Sequence, residues 1–183
     1  MRVIAGRLRG RRIDAPRGAL VRPTYDRVRE SVFDILGPRV EGARVLDLFA
    51  GSGALGIECL SRGAKSVTFV ERDRAVLGVL RANIQALGVS EASAVRSGDA
   101  VRLLEGAVPG GPFDLVFVDP PYASGLAGEV LALLVSRAHL APGALVVVEH
   151  ARGGAPEAAC GSLALTRSER YGTTDVSFFR TLN

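Results

Sequence analysis

Between Arg44 and Glu149 one pattern recurs: a short, nearly unbroken apolar run, then a longer stretch with helical spacing. The runs are Arg44–Phe49, Ser66–Glu71, Ser93–Ser97, Asp114–Asp119 and Ala144–Glu149. Helical patterns fill the intervals at Ala54–Arg62, Arg74–Leu87, a short Ala100–Gly106 and Gly125–Ala138. A strand apolar at nearly every position must be covered on both faces, so the alternation predicts an α/β fold around a parallel sheet. The C-terminus changes character. Leu163–Glu169 and Asp175–Thr181, joined through Tyr171-Gly172, predict a hairpin that adds antiparallel strands to the parallel set.

A chain of 183 residues suits one compact domain with a core of its own. Two cysteines, Cys59 and Cys160, are too few for a disulfide framework or a four-cysteine zinc site, and no metal is signalled. The longest apolar stretch, Leu126–Leu140, is broken by Glu129 and Arg137. No membrane span or secretory leader is expected, and a cytoplasmic protein is the default. Isolated His139 and His150 are expected to be structural or solvent-facing rather than catalytic.

Charge is concentrated at one end. Residues 1–29 hold nine arginines and two acids, a net +7, whereas the remaining 154 residues hold 14 basic and 17 acidic groups, a net −3. Such a cluster is an electrostatic footprint for phosphates. Residues 2–15 alternate apolar and basic around Gly6 and Gly10, predicting a short basic hairpin or extended arm. Pro16 to Pro23 reads as a linker. The helix that follows, Asp26–Leu36, has Val28, Val32, Ile35 and Leu36 on one face, Thr24 or Asp26 as N-cap, and Gly37-Pro38 as its stop.

The first strand runs into Asp47-Leu48-Phe49-Ala50-Gly51-Ser52-Gly53-Ala54-Leu55-Gly56. Three glycines between a strand and a helix let a ligand approach the backbone, and Glu71, 20 residues after Gly51, can accept both hydroxyls of a ribose. A nucleoside-containing cofactor follows, and which one is decided by charge. Asp47 just before the loop would repel a pyrophosphate but suits a sulfonium and an ammonium. Asp99, after the third strand, can accept an adenine amine. Three acids at the carboxyl ends of successive strands face one crevice, which favours S-adenosylmethionine over a nicotinamide dinucleotide.

Asp119-Pro120-Pro121-Tyr122 ends the fourth strand. The lone pair of an exocyclic amine is delocalised into its base. An Asp119 carboxylate and a rigid Pro120 carbonyl could each accept one N–H, drawing the nitrogen toward tetrahedral geometry, while Tyr122 offers a face for an extruded base.

Together these motifs look like those of amino-group methyltransferases, and the N-terminus narrows the likeness. Arg22-Pro23-Thr24-Tyr25-Asp26-Arg27-Val28-Arg29-Glu30 with Phe33-Asp34-Ile35-Leu36, Arg2-Val3-Ile4-Ala5-Gly6 with Gly10-Arg11, the run Val45–Glu58, Ser61-Arg62-Gly63-Ala64 and Tyr171-Gly172 resemble the RsmD family, bacterial 16S rRNA guanine-N2 methyltransferases. The resemblance implies a Rossmann-like, mostly parallel seven-stranded methyltransferase sheet of order 3-2-1-4-5-7-6, with S-adenosylmethionine as donor. It implies a basic arm at residues 1–25 and a methyltransferase domain at 26–183. The substrate implied is a guanine amine in 16S rRNA of an assembled or nearly assembled 30S subunit. Carried over by position, Asp47, Phe49, Gly51 and Gly53 fall on the methionine-side loop; Glu71 falls on the ribose and Arg72 beside the adenine; Asp99 and Ala100 fall on the adenine edge. Thr24, Asp26 and Arg27 fall on a segment closing over the cofactor, and Asp119, Pro120, Pro121 and Tyr122 on the catalytic motif. Arg7, Arg9, Arg11, Arg12 and Arg22 would grip RNA phosphates, with the enzyme a monomer. Three rivals stand beside this. A DNA adenine-N6 or cytosine-N4 methyltransferase would use the same amine chemistry but usually needs a larger recognition region. An NAD(P) oxidoreductase leaves Asp119–Tyr122 unexplained, and a non-catalytic RNA-binding module leaves the intact acids unexplained.

Overall fold

The computed structural model describes residues 1–16, 23–121 and 125–182, with backbone alone for 23–25. One sheet organises the chain. Strands β1 (Arg44–Asp47), β2 (Ser66–Glu71), β3 (Ser93–Ser97), β4 (Phe113–Val118) and β5 (Leu140–Ala151) pair in parallel. β8 (Thr174–Thr181) runs antiparallel to β5, β7 (Leu163–Tyr171) pairs with β8, and β6 (Ala159–Cys160) closes the edge. The order is β3-β2-β1-β4-β5-β8-β7-β6. The expected order holds once the two-residue β6 is set aside; it is too short to carry any periodicity, which is why seven strands and not eight are read from the sequence.

Helices α1 (Pro23–Leu36), α2 (Ala54–Ser61) and α3 (Arg74–Ala86) share one core with the N-terminal arm and one face of the sheet. Helices α4 (Ala100–Leu104) and α5 (Leu126–Ser136) belong to the core on the other face. Adjacent residues of a strand supply opposite cores: Val45 and Leu46 in β1, Phe117 and Val118 in β4, Val147 and Val148 in β5. That two-sided demand is what makes the strands apolar throughout. No helix among the described residues is long and apolar enough to cross a membrane.

Three of the boundaries that differ from expectation have a clear physical reason. Helix α1 opens at Pro23, so Pro23 takes the first helical position, and Thr24 and Asp26 lie inside the first turn instead of capping it. Gly37-Pro38 does not stop the chain's winding but tightens it into a 3-10 turn, Gly37–Val40. β5 begins at Leu140 rather than Ala144, because the ladder with β4 tolerates Pro142-Gly143 as an irregularity, with Gly143 at φ +73°.

The arm folds back on itself through an Arg2–Arg12 bridge around a 3-10 turn at Gly6–Leu8. It is bolted to α2. The Glu58 carboxylate, wholly buried, accepts the backbone N–H of Ile4 at 2.8 Å and of Ala5 at 2.9 Å, and the Arg62 Nε at 2.8 Å. Val3, Leu8 and Ile13 are buried beneath it. A Cβ on Gly6 would stand 2.0 Å from the Ser61 carbonyl oxygen, so only glycine fits there. Asn83 of α3 accepts the Asp14 N–H at 2.9 Å and donates to the Asp14 and Ser52 carbonyls, tying the arm to the glycine loop.

Removing a buried carboxylate strands the donors around it. Glu58→Ala is expected to cost about 3–5 kcal/mol by denaturant titration and to release residues 1–16 to limited proteolysis. A change under about 0.5 kcal/mol would show that the arm is held by its apolar residues alone.

Candidate active site

The glycine loop closes the carboxyl end of β1, and each glycine has a different duty. Gly51 sits at φ +55° and gives its N–H to the Glu71 Oε2 at 2.9 Å. Gly53, at φ +85°, caps α2; a Cβ there would stand 2.5 Å from the Leu80 Cδ1. Gly56 lies in the first turn of α2, where a Cβ would stand 2.3 Å from the Phe69 ring, so its absence lets α2 lie close on β2.

The acids meet at this edge, and most are held by backbone N–H groups. Asp47 is 2% exposed, and its Oδ2 accepts the Gly56 N–H at 3.1 Å. It therefore does for α2 what Gly53, without a side chain, cannot: it satisfies a first-turn N–H and faces the positive end of the helix. Burial, opposed by that hydrogen bond and reinforced by Glu71, pushes Asp47 up to about 7. Glu71 also accepts the Asp73 N–H at 2.8 Å. The Asp99 Oδ1 caps α4 by accepting from Val101 at 3.0 Å and Arg102 at 3.2 Å, while its Oδ2 lies 3.9 Å from the Arg72 Nη1. Asp119 follows β4 directly, and burial, then Glu149, then Asp47, raise it well above the ordinary carboxylate range.

Two cavities divide these residues. One of about 310 Å³ is lined by Glu71, Arg72, Asp99, Ala100 and the Asp119-Pro120-Pro121 segment. The other, about 200 Å³, is lined by Asp26, Arg29, Asp47, Gly51, Phe117 and Glu149 among others. Phe49 and Asp119 line both and form the waist. Glu71, Arg72, Asp99 and Ala100, expected on the adenosine side, line the first cavity; Asp47 and Gly51, expected on the methionine side, line the second, and Phe49 lines both. Gly53 lines neither, and neither does Arg27, which is exposed. Arg22, Tyr122 and the side chain of Thr24 lie outside the described residues. Arg7, Arg9, Arg11 and Arg12 are all exposed on the arm; the Arg11 Nη2 donates to the Ala86 carbonyl at 3.0 Å and Arg12 pairs with Asp14 at 2.7 Å. Both histidines are buried in structural hydrogen bonds, His139 to the Leu104 carbonyl at 2.8 Å and His150 to the Ser177 hydroxyl at 2.9 Å.

Two site residues were missed by sequence reasoning. Arg29 is 5% exposed, pairs with Asp26 at 3.2 Å, and has a buried Nε with no hydrogen-bond partner among the described residues. Burial lowers its pKa. The signal was its spacing: Arg29, Phe33 and Leu36 share a helix face. Glu149 ends an otherwise apolar strand as Asp119 does, and that parallel was available.

Comparison with known proteins agrees. The family profile described as Conserved hypothetical protein 95 matches residues 1–180. Ribosomal RNA small subunit methyltransferase D of Escherichia coli K12 is 46% identical over 149 residues, covering 81% of this chain and 74% of that protein. The chain belongs to the RsmD family. YlbH of Bacillus subtilis strain 168 is 39% identical over 181 residues, covering 98% of both. The solved yhhF structure of Escherichia coli, 39% identical, superposes with a TM-score of 0.88 over 99% of this chain and 97% of that one.

S-adenosylmethionine is the cofactor expected for this RsmD-family chain. The donor set fits it: acids for a sulfonium and an ammonium, and an orphaned guanidinium N–H of Arg29 for a carboxylate, in the same cavity. Glu71 and Asp99 would hold the ribose and adenine.

Asp47 couples stability to pH. Its folded pKa of about 7 lies above the reference value of 3.8, so between those values the folded state holds a proton that the unfolded state has lost. Stability of the cofactor-free protein is expected to fall as pH rises through that window, with a total of order 4 kcal/mol. Asp47→Asn should flatten the thermal-melt profile across it and weaken cofactor binding above pH 7. An unchanged profile would mean that Asp47 is ionised throughout.

Proposed function

We propose that this protein transfers a methyl group from S-adenosylmethionine to the exocyclic N2 amine of a guanine in 16S rRNA, on the 30S subunit or a late assembly intermediate in the cytoplasm. The observation that carries the reading is the waist: Asp119, followed by the rigid Pro120-Pro121, borders both halves of the acid-lined crevice. The relatives named as small-subunit rRNA methyltransferases supply the substrate class.

In this reading the cofactor supplies an electrophilic methyl group, and the chain supplies geometry and charge. Asp119 accepts one N–H of the target amine and the Pro120 carbonyl the other, which holds the nitrogen lone pair toward the crevice. As positive charge develops on that nitrogen, the neighbouring carboxylate stabilises it and is placed to take its proton. Asp119 is only partly exposed, which limits the competition of water for the same positions. Tyr122 would stack the extruded base, and Arg7, Arg9, Arg11, Arg12 and Arg22 would hold backbone phosphates. A DNA amine methyltransferase would share the chemistry of Asp119. The small arm favours a target already shaped by RNA and ribosomal proteins over a DNA sequence that must be read.

Labelled S-adenosylmethionine should deliver N2-methylguanosine to 30S subunits taken from cells lacking the modification, and no label to duplex DNA. Label on DNA adenine or cytosine would overturn the substrate. Asp119→Ala should keep cofactor affinity while lowering turnover by roughly 10²- to 10⁴-fold; near-normal turnover would remove Asp119 from the chemistry. Neutralising Arg7, Arg9, Arg11 and Arg12 together should weaken RNA binding and reduce its salt slope by roughly 3. An unchanged slope would mean the arm does not contact phosphates.

A further inference from the structure

A third cavity, of about 280 Å³, lies beyond the Pro120-Pro121 wall and is lined by Pro120, Pro121, Leu126, Glu149, His150 and Ala151 among others. Glu149 borders this cavity and the methionine-side cavity alike. Pro120 borders it and the adenosine-side cavity. Asp119 borders the first two cavities and not this one, so Glu149 is the acid that links the methionine-side cavity to the third. The ladder brings a second acid to the same place. Val118 of β4 and Val148 of β5 are paired in parallel, so the next residues, Asp119 just past β4 and Glu149 near the end of β5, lie on adjacent segments. Both line the methionine-side cavity with Phe117 and Val147, which places them on one face of the sheet.

We propose that Glu149 reads the Watson–Crick edge of the target, accepting the guanine N1–H while Asp119 holds the adjacent N2 amine, so that the two carboxylates select guanine over other amine-bearing bases. The assignment rests on the function proposed above and adds its specificity determinant. The chemistry is particular to guanine. Its N1–H and N2 amine are neighbouring donors, so two adjacent carboxylates meet donors at both positions. In adenine the amine is flanked by the N1 and N7 acceptors, and in cytosine by N3. Either base would set a lone pair against Glu149 and leave its carboxylate facing an acceptor. The pair also explains why an amine-binding site carries two acids where one would suffice to hold an amine. Burial, and then the neighbouring Glu149, push Asp119 up, and an edge of two donors is an occupant that opposes both effects. Glu149 touches substrate in this scheme, and Asp119 alone handles the proton.

The decisive probe is 2-aminopurine, which keeps the N2 amine but has an acceptor at N1. Subunits are reconstituted with 16S rRNA carrying either guanine or 2-aminopurine at the modified position, and single-turnover methyl transfer is measured with saturating cofactor. The unaltered enzyme should prefer guanine by at least about 10²-fold in kcat/KM, since a site built to receive an N–H rejects an analogue lacking it strongly. Glu149→Gln, whose amide can accept or donate, should lose most of that preference, read as the ratio of the two rates at saturating cofactor, while keeping its melting temperature. Equal rates on the two bases by the unaltered enzyme would overturn the assignment without any variant being needed. A preference that Glu149→Gln retains in full would overturn it too. Failure of the underlying reading looks different: the unaltered enzyme would then place no methyl on guanine N2 in any RNA.

Discussion

The organising constraint is a parallel sheet buried on both faces. Its strands are apolar along most of their length, so acids are placed toward the ends. Asp47 ends β1, Glu71 ends β2, and Asp119 and Glu149 come at the ends of β4 and β5. Parallel pairing then brings those ends to one edge, because every strand finishes on the same side. A concentration of negative charge with low-dielectric walls follows from packing alone, before any requirement of function is considered.

Such a concentration would be ruinous without compensation, and the backbone supplies it. Gly51 and Asp73 donate to Glu71, Gly56 donates to Asp47, and Val101 and Arg102 donate to Asp99. Each of these bonds also fixes a piece of chain. The Glu71 bond pins the glycine loop, the Asp47 bond starts α2, and the Asp99 bond starts α4. The groups that would bind the cofactor are thus the same groups that build the walls around it, so the crevice is shaped in advance and little ordering is left for binding to accomplish. Asp119 is the exception. Among the described residues no backbone donor is recorded for it, and its proton affinity is high because burial and Glu149 are not offset.

What could be read from the sequence was whatever is local. Strand ends, glycines and the acids that follow them are separated by a few residues, and periodicity reports them directly. β2 and β3 are found at their expected bounds for that reason. The elements that escaped depend on distant partners. β5 passes through Pro142-Gly143 because β4 lies beside it, and β6 exists only as the companion of β7. Glu58 sits amid Ile57, Cys59 and Leu60, and nothing local marks its carboxylate as a buried anchor. Its partners Ile4 and Ala5 lie 54 and 53 residues away. Arg29 and Glu149 were legible in principle, since each occupies a position whose neighbours in the pattern are apolar.

The docking of the arm has a geometric consequence. Helix α2 begins at the glycine loop and ends at Ser61, where Gly6 and Leu8 of the arm are seated. Eight residues at 1.5 Å each make a rigid spacer of about 12 Å. The arm therefore works less like a tether than like one jaw of a caliper. Under the proposed function, anything the arm gripped would be held at a set reach from the crevice, and a strand whose backbone and target base are not separated by that reach would bind without presenting the base.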